Sequence, residues 1–100
     1  MNTRDELERL LRQGPHSLRE LADRLELPIH VVNDHVEHLQ RSLRHRGGRL
    51  HLHPARCRHC GFTFTQHRFT RPSRCPRCRS TWIEPPRLEI TSGEGKKKGA

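Results

Sequence analysis

Apolar residues are scarce in this 100-residue chain, where hydrophobic residues make up 30% and aromatic residues only 4%. A chain of this length and composition cannot build a large self-sufficient core. No stretch approaches the roughly 20 consecutive apolar residues that span a bilayer. Residues 1–12 also lack the apolar run of a signal peptide. We therefore expect an intracellular, cytoplasmic protein with no membrane segment.

Patterns typical of enzymes are also missing from the sequence. It contains no recognisable Ser-His-Asp or Cys-His arrangement, no phosphate-binding glycine loop and no metal-ligand pattern with an open position. We therefore do not expect a catalytic function.

Acidic residues are few, with 11 Asp and Glu against 20 Lys and Arg, which gives a net charge of +9. Such an excess indicates a polyanionic partner or an acidic protein surface, although solubility is a plainer explanation. The excess lies in residues 55–90 and in the tail, whereas residues 1–54 are nearly neutral. Any polyanion attraction is thus expected to come mainly from the second half of the chain.

The first two helices are predicted from capping boxes, in which a Ser or Thr side chain and a Glu three residues later satisfy free backbone amides. Thr3 and Glu6 begin the first helix, and Ser17 and Glu20 begin the second. Leucines recur at helical spacing behind each box. Gly14-Pro15 ends the first helix.

A third helix and a hairpin are predicted next. The helix starts near Ile29, and its apolar stripe consists of Val32, Val36, Leu39 and Leu43. Behind it, Gly47-Gly48 lies between Arg44–Arg46 and the alternating Leu50–His53, a pattern typical of a two-stranded hairpin. A three-helix bundle with an incidental loop is the alternative.

The four cysteines form two C-x-x-C pairs, and 14 residues separate the pairs. In a reducing cytosol they are better read as metal ligands than as disulfides. The predicted ligands are Cys57, Cys60, Cys75 and Cys78. Two thiolates from each pair complete a tetrahedral sulfur site, which leaves no open position for water or substrate. We predict one structural zinc ion per chain, with iron as the chemical competitor.

Short strands are predicted around these pairs, at Phe62–Thr65, more weakly at Arg68–Thr70, and at Ser80–Glu84. The pattern resembles a zinc ribbon. Because this block has few large apolar side chains, metal binding, typically about 10 to 16 kcal/mol, is expected to be its main stabiliser. His59 lies between two ligands and is expected to face solvent or to support them.

The order of short helix, tight turn, longer helix and hairpin is that of a winged helix-turn-helix. The amino-acid sequences of residues 17–28 and 32–39 resemble those of many small bacterial and archaeal regulators. We therefore predict an α+β protein with a winged helix-turn-helix in residues 1–54. An antiparallel β zinc ribbon is predicted in residues 55–90, and a disordered basic tail in residues 91–100.

The combination resembles a family of small predicted transcriptional regulators in which a winged helix-turn-helix is fused to a C-terminal zinc ribbon. This resemblance implies a regulator that binds double-stranded DNA and whose third helix enters the major groove. By extension, the residues in reach of bases are His30, Asn33, Asp34, Glu37, His38 and Arg41. Those placed to hold phosphates are Arg44, Arg46 and Arg49.

Two observations keep alternatives open. Asp34 and Glu37 on the third helix are repelled by phosphate. The chain is also similar in its order of modules to the archaeal transcription factor E alpha subunit. The alternative function is therefore an adaptor that contacts RNA polymerase or another transcription protein.

Two further features are left open by the sequence. Homodimerisation is undecided. A second, sensory metal site is geometrically conceivable, because His30, Asp34 and His38 follow one another at four-residue spacing and His51 and His53 share a strand face.

Overall fold

The structure is a computed structural model that describes residues 2–65 and 68–91. Three helices are followed by four short strands. The elements are α1 (Thr3–Gln13), α2 (Leu18–Leu25), α3 (Ile29–His45), β1 (Arg49–His53), β2 (Arg56–Cys57), β3 (Ile83–Glu84) and β4 (Arg87–Thr91). The strands form two antiparallel pairs, which confirms the predicted α+β class. None of the helices in these residues has both the length and the apolar character needed to cross a membrane.

The start of α1 differs from the prediction. The cap is Asn2, whose side-chain oxygen accepts a hydrogen bond of 2.9 Å from the backbone N–H of Asp5. The predicted capping role of Thr3 is wrong, because Asn caps helices as well as Ser or Thr does and stands one residue earlier. Glu6 instead forms an ion pair with Arg9 on the helix surface.

The start of α2 is as predicted. The Ser17 hydroxyl accepts from the Glu20 backbone at 3.1 Å, and the Glu20 carboxylate accepts from the Ser17 backbone at 2.8 Å. The helix ends at Leu25 and is capped by Glu26, which has a left-handed backbone and donates its N–H to the carbonyl of Ala22. A tight turn through Pro28 then leads directly into α3, so the two helices have the helix-turn-helix order.

The end of α3 overturns the predicted hairpin around Gly47-Gly48. The helix runs to His45, so most of Arg44–Arg46 is helical rather than extended. Gly47 has a φ of +79°, and the Gly48 N–H donates to the carbonyl of Leu43 at 2.8 Å. This is how glycines commonly end helices, by taking the left-handed conformation and satisfying the last carbonyls.

The partner of β1 is β4, which follows all four cysteines in the sequence. Leu50 pairs with Ile90 and Leu52 with Leu88 in an antiparallel register. On its other edge, β4 is bridged to His16 by backbone hydrogen bonds. The β1–β4 pair, which we call the wing, is therefore built from strands that are distant in sequence.

Two separate apolar cores follow from this topology. The first contains the buried faces of all three helices together with Leu88 and Ile90 of β4. The second consists of Ala55, Cys57, Phe64, Cys75 and Ile83. Most of β4, which the sequence assigned to the ribbon block 55–90, thus packs with the helices. The ribbon is inserted between the two strands of the wing.

The ribbon itself has less strand structure than predicted. In the β2–β3 pair, Cys57 lies opposite Ile83. Only Thr63 of the predicted strand 62–65 forms a bridge, and Arg68–Thr70 is not extended into a strand. Thr91, assigned to the tail, is the last residue of β4, and the rest of the predicted disordered tail lies outside the described residues.

Candidate metal centre and basic surface

The four predicted ligands converge on one point. The sulfur atoms of Cys57, Cys60, Cys75 and Cys78 all lie within 4.8 Å of one another. The Sγ atoms of Cys57 and Cys78 are 3.5 Å apart, and those of Cys60 and Cys75 are 3.7 Å apart. Zinc–sulfur bonds of about 2.3 Å imply a tetrahedral edge of about 3.8 Å, so these separations fit a four-thiolate zinc site.

The two C-x-x-C pairs form matching backbone knuckles. The Gly61 N–H donates to the carbonyl of Cys57 at 2.9 Å, and the Arg79 N–H donates to that of Cys75 at 2.8 Å. Both residues that close the knuckles have a left-handed backbone, with φ of +83° at Gly61 and +67° at Arg79. The glycine suits this conformation, whereas a residue with a Cβ pays a steric cost of about 1 to 2 kcal/mol there.

Backbone amides inside each knuckle point at the ligand sulfurs. The Cys60 N–H donates to the Sγ of Cys57 at 3.5 Å, and the Arg77 N–H donates to the Sγ of Cys75 at 3.3 Å. Amide hydrogen bonds of this kind stabilise the thiolate and orient it toward the metal. The sequence pattern alone does not indicate which sulfurs receive them.

These surroundings shift the pKa values of Cys57 and Cys78 in opposite directions. Burial opposes ionisation of Cys57, but hydrogen bonds from the backbone of Cys60 and His59 lower its pKa to about 6. The Ser80 backbone favours the Cys78 thiolate, yet burial and the neighbouring thiols raise the pKa of Cys78 to about 12. Four close sulfurs cannot all ionise without a cation between them, so the site is built for a metal.

The centre is closed, as the sequence predicted. Cys57 and Cys75 are buried and the other two ligands are half-buried, while His59 is exposed. A tetrahedron filled by four thiolates has no position for a substrate. In the described part of the chain these cysteines are the only group of three or more metal-binding side chains that converge. The structure thus gives no support to the sensory site at His30, Asp34 and His38.

The predicted DNA-reading residues of α3 divide into three sets. His30, Asp34 and Arg41 are exposed on one face of the helix, which we call the crest. Asn33 and Glu37 line a cleft of about 360 Å³ against the ribbon segment Arg68–Thr70. The ribbon therefore lies beside one flank of the helix, where Asn33 is half-buried and Glu37 remains exposed, which sequence reasoning did not anticipate. The only local signal is Phe69, an apolar residue in a polar stretch, which packs against the first core.

The third set faces α1. His38 and Arg46 line a cleft on that side, and a nitrogen of Arg46 lies 3.3 Å from a carboxylate oxygen of Glu8. Arg46, predicted to hold phosphate, is thus engaged in an ion pair. Arg44 and Arg49 are exposed, and neither forms an ion pair with the residues that the structure describes.

Two family models together match most of the chain. One, described as PF0610-like, N-terminal, matches residues 2–51, and the other, the PF0610 rubredoxin-like zinc beta-ribbon domain, matches residues 54–93. The chain belongs to the PF0610-like family. The chain is similar to protein PF0610 from Pyrococcus furiosus, which has a solution NMR structure. The two sequences are 33% identical, and the structural match covers 90% of this chain and 89% of that chain with a TM-score of 0.73. No curated protein matches the chain.

Membership of the PF0610-like family confirms the zinc ribbon. The ribbon model spans all four cysteines, and their geometry accommodates one ion. When bound, zinc supplies the charge that holds four thiolates together, and Cys57, Cys60, Cys75 and Cys78 are its ligands.

Proposed function

We propose that this PF0610-like protein is a DNA-binding transcriptional regulator in which α3 enters the major groove. The observation that carries the proposal is the open crest of α3. His30, Asp34 and Arg41 are exposed and line neither of the clefts that flank the helix. A helix that follows a tight turn and presents a free polar ridge has the form that reads base edges.

The division of α3 places one of its two acids, the exposed Glu37, beside the crest rather than on it. Asn33 donates a hydrogen bond of 3.3 Å to the Glu37 carboxylate, and both line the cleft against the ribbon. Only Asp34 then remains on the crest, where a carboxylate can accept from cytosine N4. Arg41 on the same crest is suited to guanine.

Phosphate contacts are assigned to the cations beside the crest and on the ribbon. Arg44 in the last turn of α3 and Arg49 at the start of β1 are exposed, and so are Arg74 and Arg77 of the ribbon. Arginines of this kind position a protein on DNA without reading its sequence. Arg46 is left out of this set because it pairs with Glu8.

Fluorescence anisotropy of the zinc-loaded protein on random-sequence duplex DNA tests the proposal. We expect binding that weakens as salt rises, because phosphate contacts release counterions. On the duplex preferred in a selection from random oligonucleotides, Arg41→Ala should weaken binding about tenfold, whereas Arg9→Ala, which removes the same charge from α1, should change it less than about twofold. Absence of binding at low salt would reject the proposal. Where binding is found, selection from random oligonucleotides identifies the preferred sequence, and the stoichiometry of the titration shows whether the protein binds as a homodimer.

The second candidate function is an adaptor that contacts RNA polymerase or another transcription protein. Its supporting observation is Trp82, whose residue surface is 61% exposed although its own N–H donates to the Ser80 hydroxyl and its carbonyl accepts from the Arg58 N–H. Exposed tryptophan on a rigid element is a common anchor of protein interfaces. Retention of polymerase subunits by the wild type but not by Trp82→Ala would favour this function. Neither candidate gives the chain a catalytic role.

A further inference from the structure

The ribbon carries a cleft that neither the zinc site nor α3 uses. Its volume of about 460 Å³ lies within the range of about 300 to 1,000 Å³ typical of small-molecule sites. Three arginines, three hydroxyl side chains, two phenylalanines and three prolines line it. The residues that matter for binding are Phe62, Phe64, Arg68, Thr70, Arg71 and Arg74.

The charge of this cleft is unbalanced. Arg68, Arg71 and Arg74 lie within seven residues of one another in sequence and line the same cavity, and no carboxylate is among its described lining residues. None of the three forms an ion pair within the described part of the chain. Like charges gathered in a concave site repel one another, and a bound anion relieves that repulsion.

One of these cations is already held in place. A guanidinium nitrogen of Arg71 donates to the backbone carbonyl of Ile83 at 3.3 Å, which leaves its other donors for a ligand. The hydroxyls of Thr70 and Ser73 add neutral donors beside the cations. Guanidinium groups together with hydroxyls are the donors that bind phosphate oxygens through charge-assisted hydrogen bonds.

The apolar part of the cleft is aromatic. Phe62 and Phe64 meet edge to face, with ring centroids 5.1 Å apart. Phe64 is buried in the ribbon core, whereas Phe62 is half-buried and so keeps part of its ring accessible. A ring held in this way can stack with a planar heterocycle, as aromatic side chains do with nucleic-acid bases.

From this combination we propose that the cleft binds a nucleoside phosphate. The phosphate lies among Arg68, Arg71 and Arg74, and the base stacks on Phe62. The cleft shares none of the crest residues of α3, so the proposal does not depend on duplex DNA binding. The ligand is either a free mononucleotide or the phosphorylated end of a single strand, because both present the same phosphate and base.

Titration calorimetry on the zinc-loaded full-length chain tests the proposal, with AMP, GMP, CMP and UMP as probes and inorganic phosphate and adenosine as comparisons at constant ionic strength. We expect at least one mononucleotide to bind at one site per chain, about tenfold or more tightly than inorganic phosphate or adenosine. Equal affinity for inorganic phosphate, or no saturable binding, would overturn it. A 5′-phosphorylated single-stranded oligonucleotide that binds still more tightly would identify a strand end as the ligand, whereas equal or weaker binding would identify the free mononucleotide.

Variants separate a built site from general cation attraction. Arg74→Ala should weaken nucleotide binding about tenfold, while Arg56→Ala, which changes an exposed ribbon arginine that does not line the cleft, should have less than about a twofold effect. Phe62→Leu keeps an apolar side chain in the ribbon and should weaken nucleotide binding but not phosphate binding. Equal losses for Arg74→Ala and Arg56→Ala would refute the site. Because no duplex is present, this result is independent of the anisotropy experiment.

Discussion

His16 and Leu88 exchange two backbone hydrogen bonds, each 2.8 Å between nitrogen and oxygen. The pair joins the segment before α2 to the last strand of the chain, and the Leu88 side chain is fully buried among the helices. The N-terminal unit is therefore completed by residues that follow the ribbon. Its stability should depend on β4 as much as on its own helices.

Leu88→Ala should lower the free energy of unfolding of the helical unit by about 2 to 5 kcal/mol, because it leaves a cavity in the first core. Denaturant unfolding followed by helical circular dichroism measures this loss. Leu50→Ala is the matched control, since Leu50 lies on the adjacent strand but is only half-buried. We expect a smaller effect there, and equal effects would argue against a central role for β4.

Removal of zinc should unfold the ribbon and spare the helices. The two cores are separate, and the second includes two of the metal ligands, Cys57 and Cys75. Thiolates without a metal repel one another, and the few apolar side chains of the ribbon do not compensate for that repulsion. After chelation, amide NMR signals of residues 54–86 should collapse toward unfolded positions while most helical circular dichroism remains. Simultaneous loss of both signals would contradict this expectation.

Arg79→Gly should stabilise the ribbon by about 0.5 to 1 kcal/mol, because Arg79 holds the left-handed conformation that glycine adopts freely. Gly61→Ala should have the opposite effect at the equivalent position of the other knuckle. No atom would crowd the added Cβ there, so the cost arises from backbone strain alone. Zinc competition with a chromophoric chelator measures both changes, and a loss of affinity in Arg79→Gly would show that its side chain has another role.

Stability should fall in acid partly through Glu20. The Ser17 backbone N–H is the main influence that holds the pKa of Glu20 below its usual value of 4.5, and Arg87 adds to it. A carboxylate with a lowered pKa in the folded state stabilises the fold above its unfolded pKa, and the contribution is lost as pH falls through the folded pKa. Glu20→Gln should therefore reduce the drop in denaturation midpoint between about pH 6 and about pH 3. An unchanged drop would rule out this source.

The features predicted well from the sequence are those that local chemistry dictates. Cysteine spacing indicated the metal ligands because two thiolates on one knuckle must bind the same ion. Val32 to Leu43 indicated the buried face of α3 because helical periodicity requires only neighbours along the chain. The Ser17 and Glu20 box marked the start of α2 for the same reason.

The features missed depend on contacts that are distant in sequence or on ambiguous signals. Gly47-Gly48 suits both a hairpin and a helix end, and the choice depends on β4, whose pairing with β1 leaves no local trace. The segment Arg68–Thr70 lies against Asn33 and Glu37 only because the ribbon folds back over α3. The resemblance to winged helix-turn-helix regulators placed these two residues among the DNA readers, and it contains no information on which other segment lies beside them.

The register of the wing also bears on how such a chain can be rebuilt. His53 and Arg87 face each other at the mouth of the inserted ribbon, so the two ends of the insertion meet across a single antiparallel pair. Opposed residues of this kind lie only about 5 Å apart, a gap that a two-residue turn spans. Residues 54–86 can therefore be regarded as an insertion between the two strands of the β1–β4 hairpin. Replacement of this insertion by Asn-Gly should leave a minimal winged helix, and other metal-bound loops could be grafted between the same two strands.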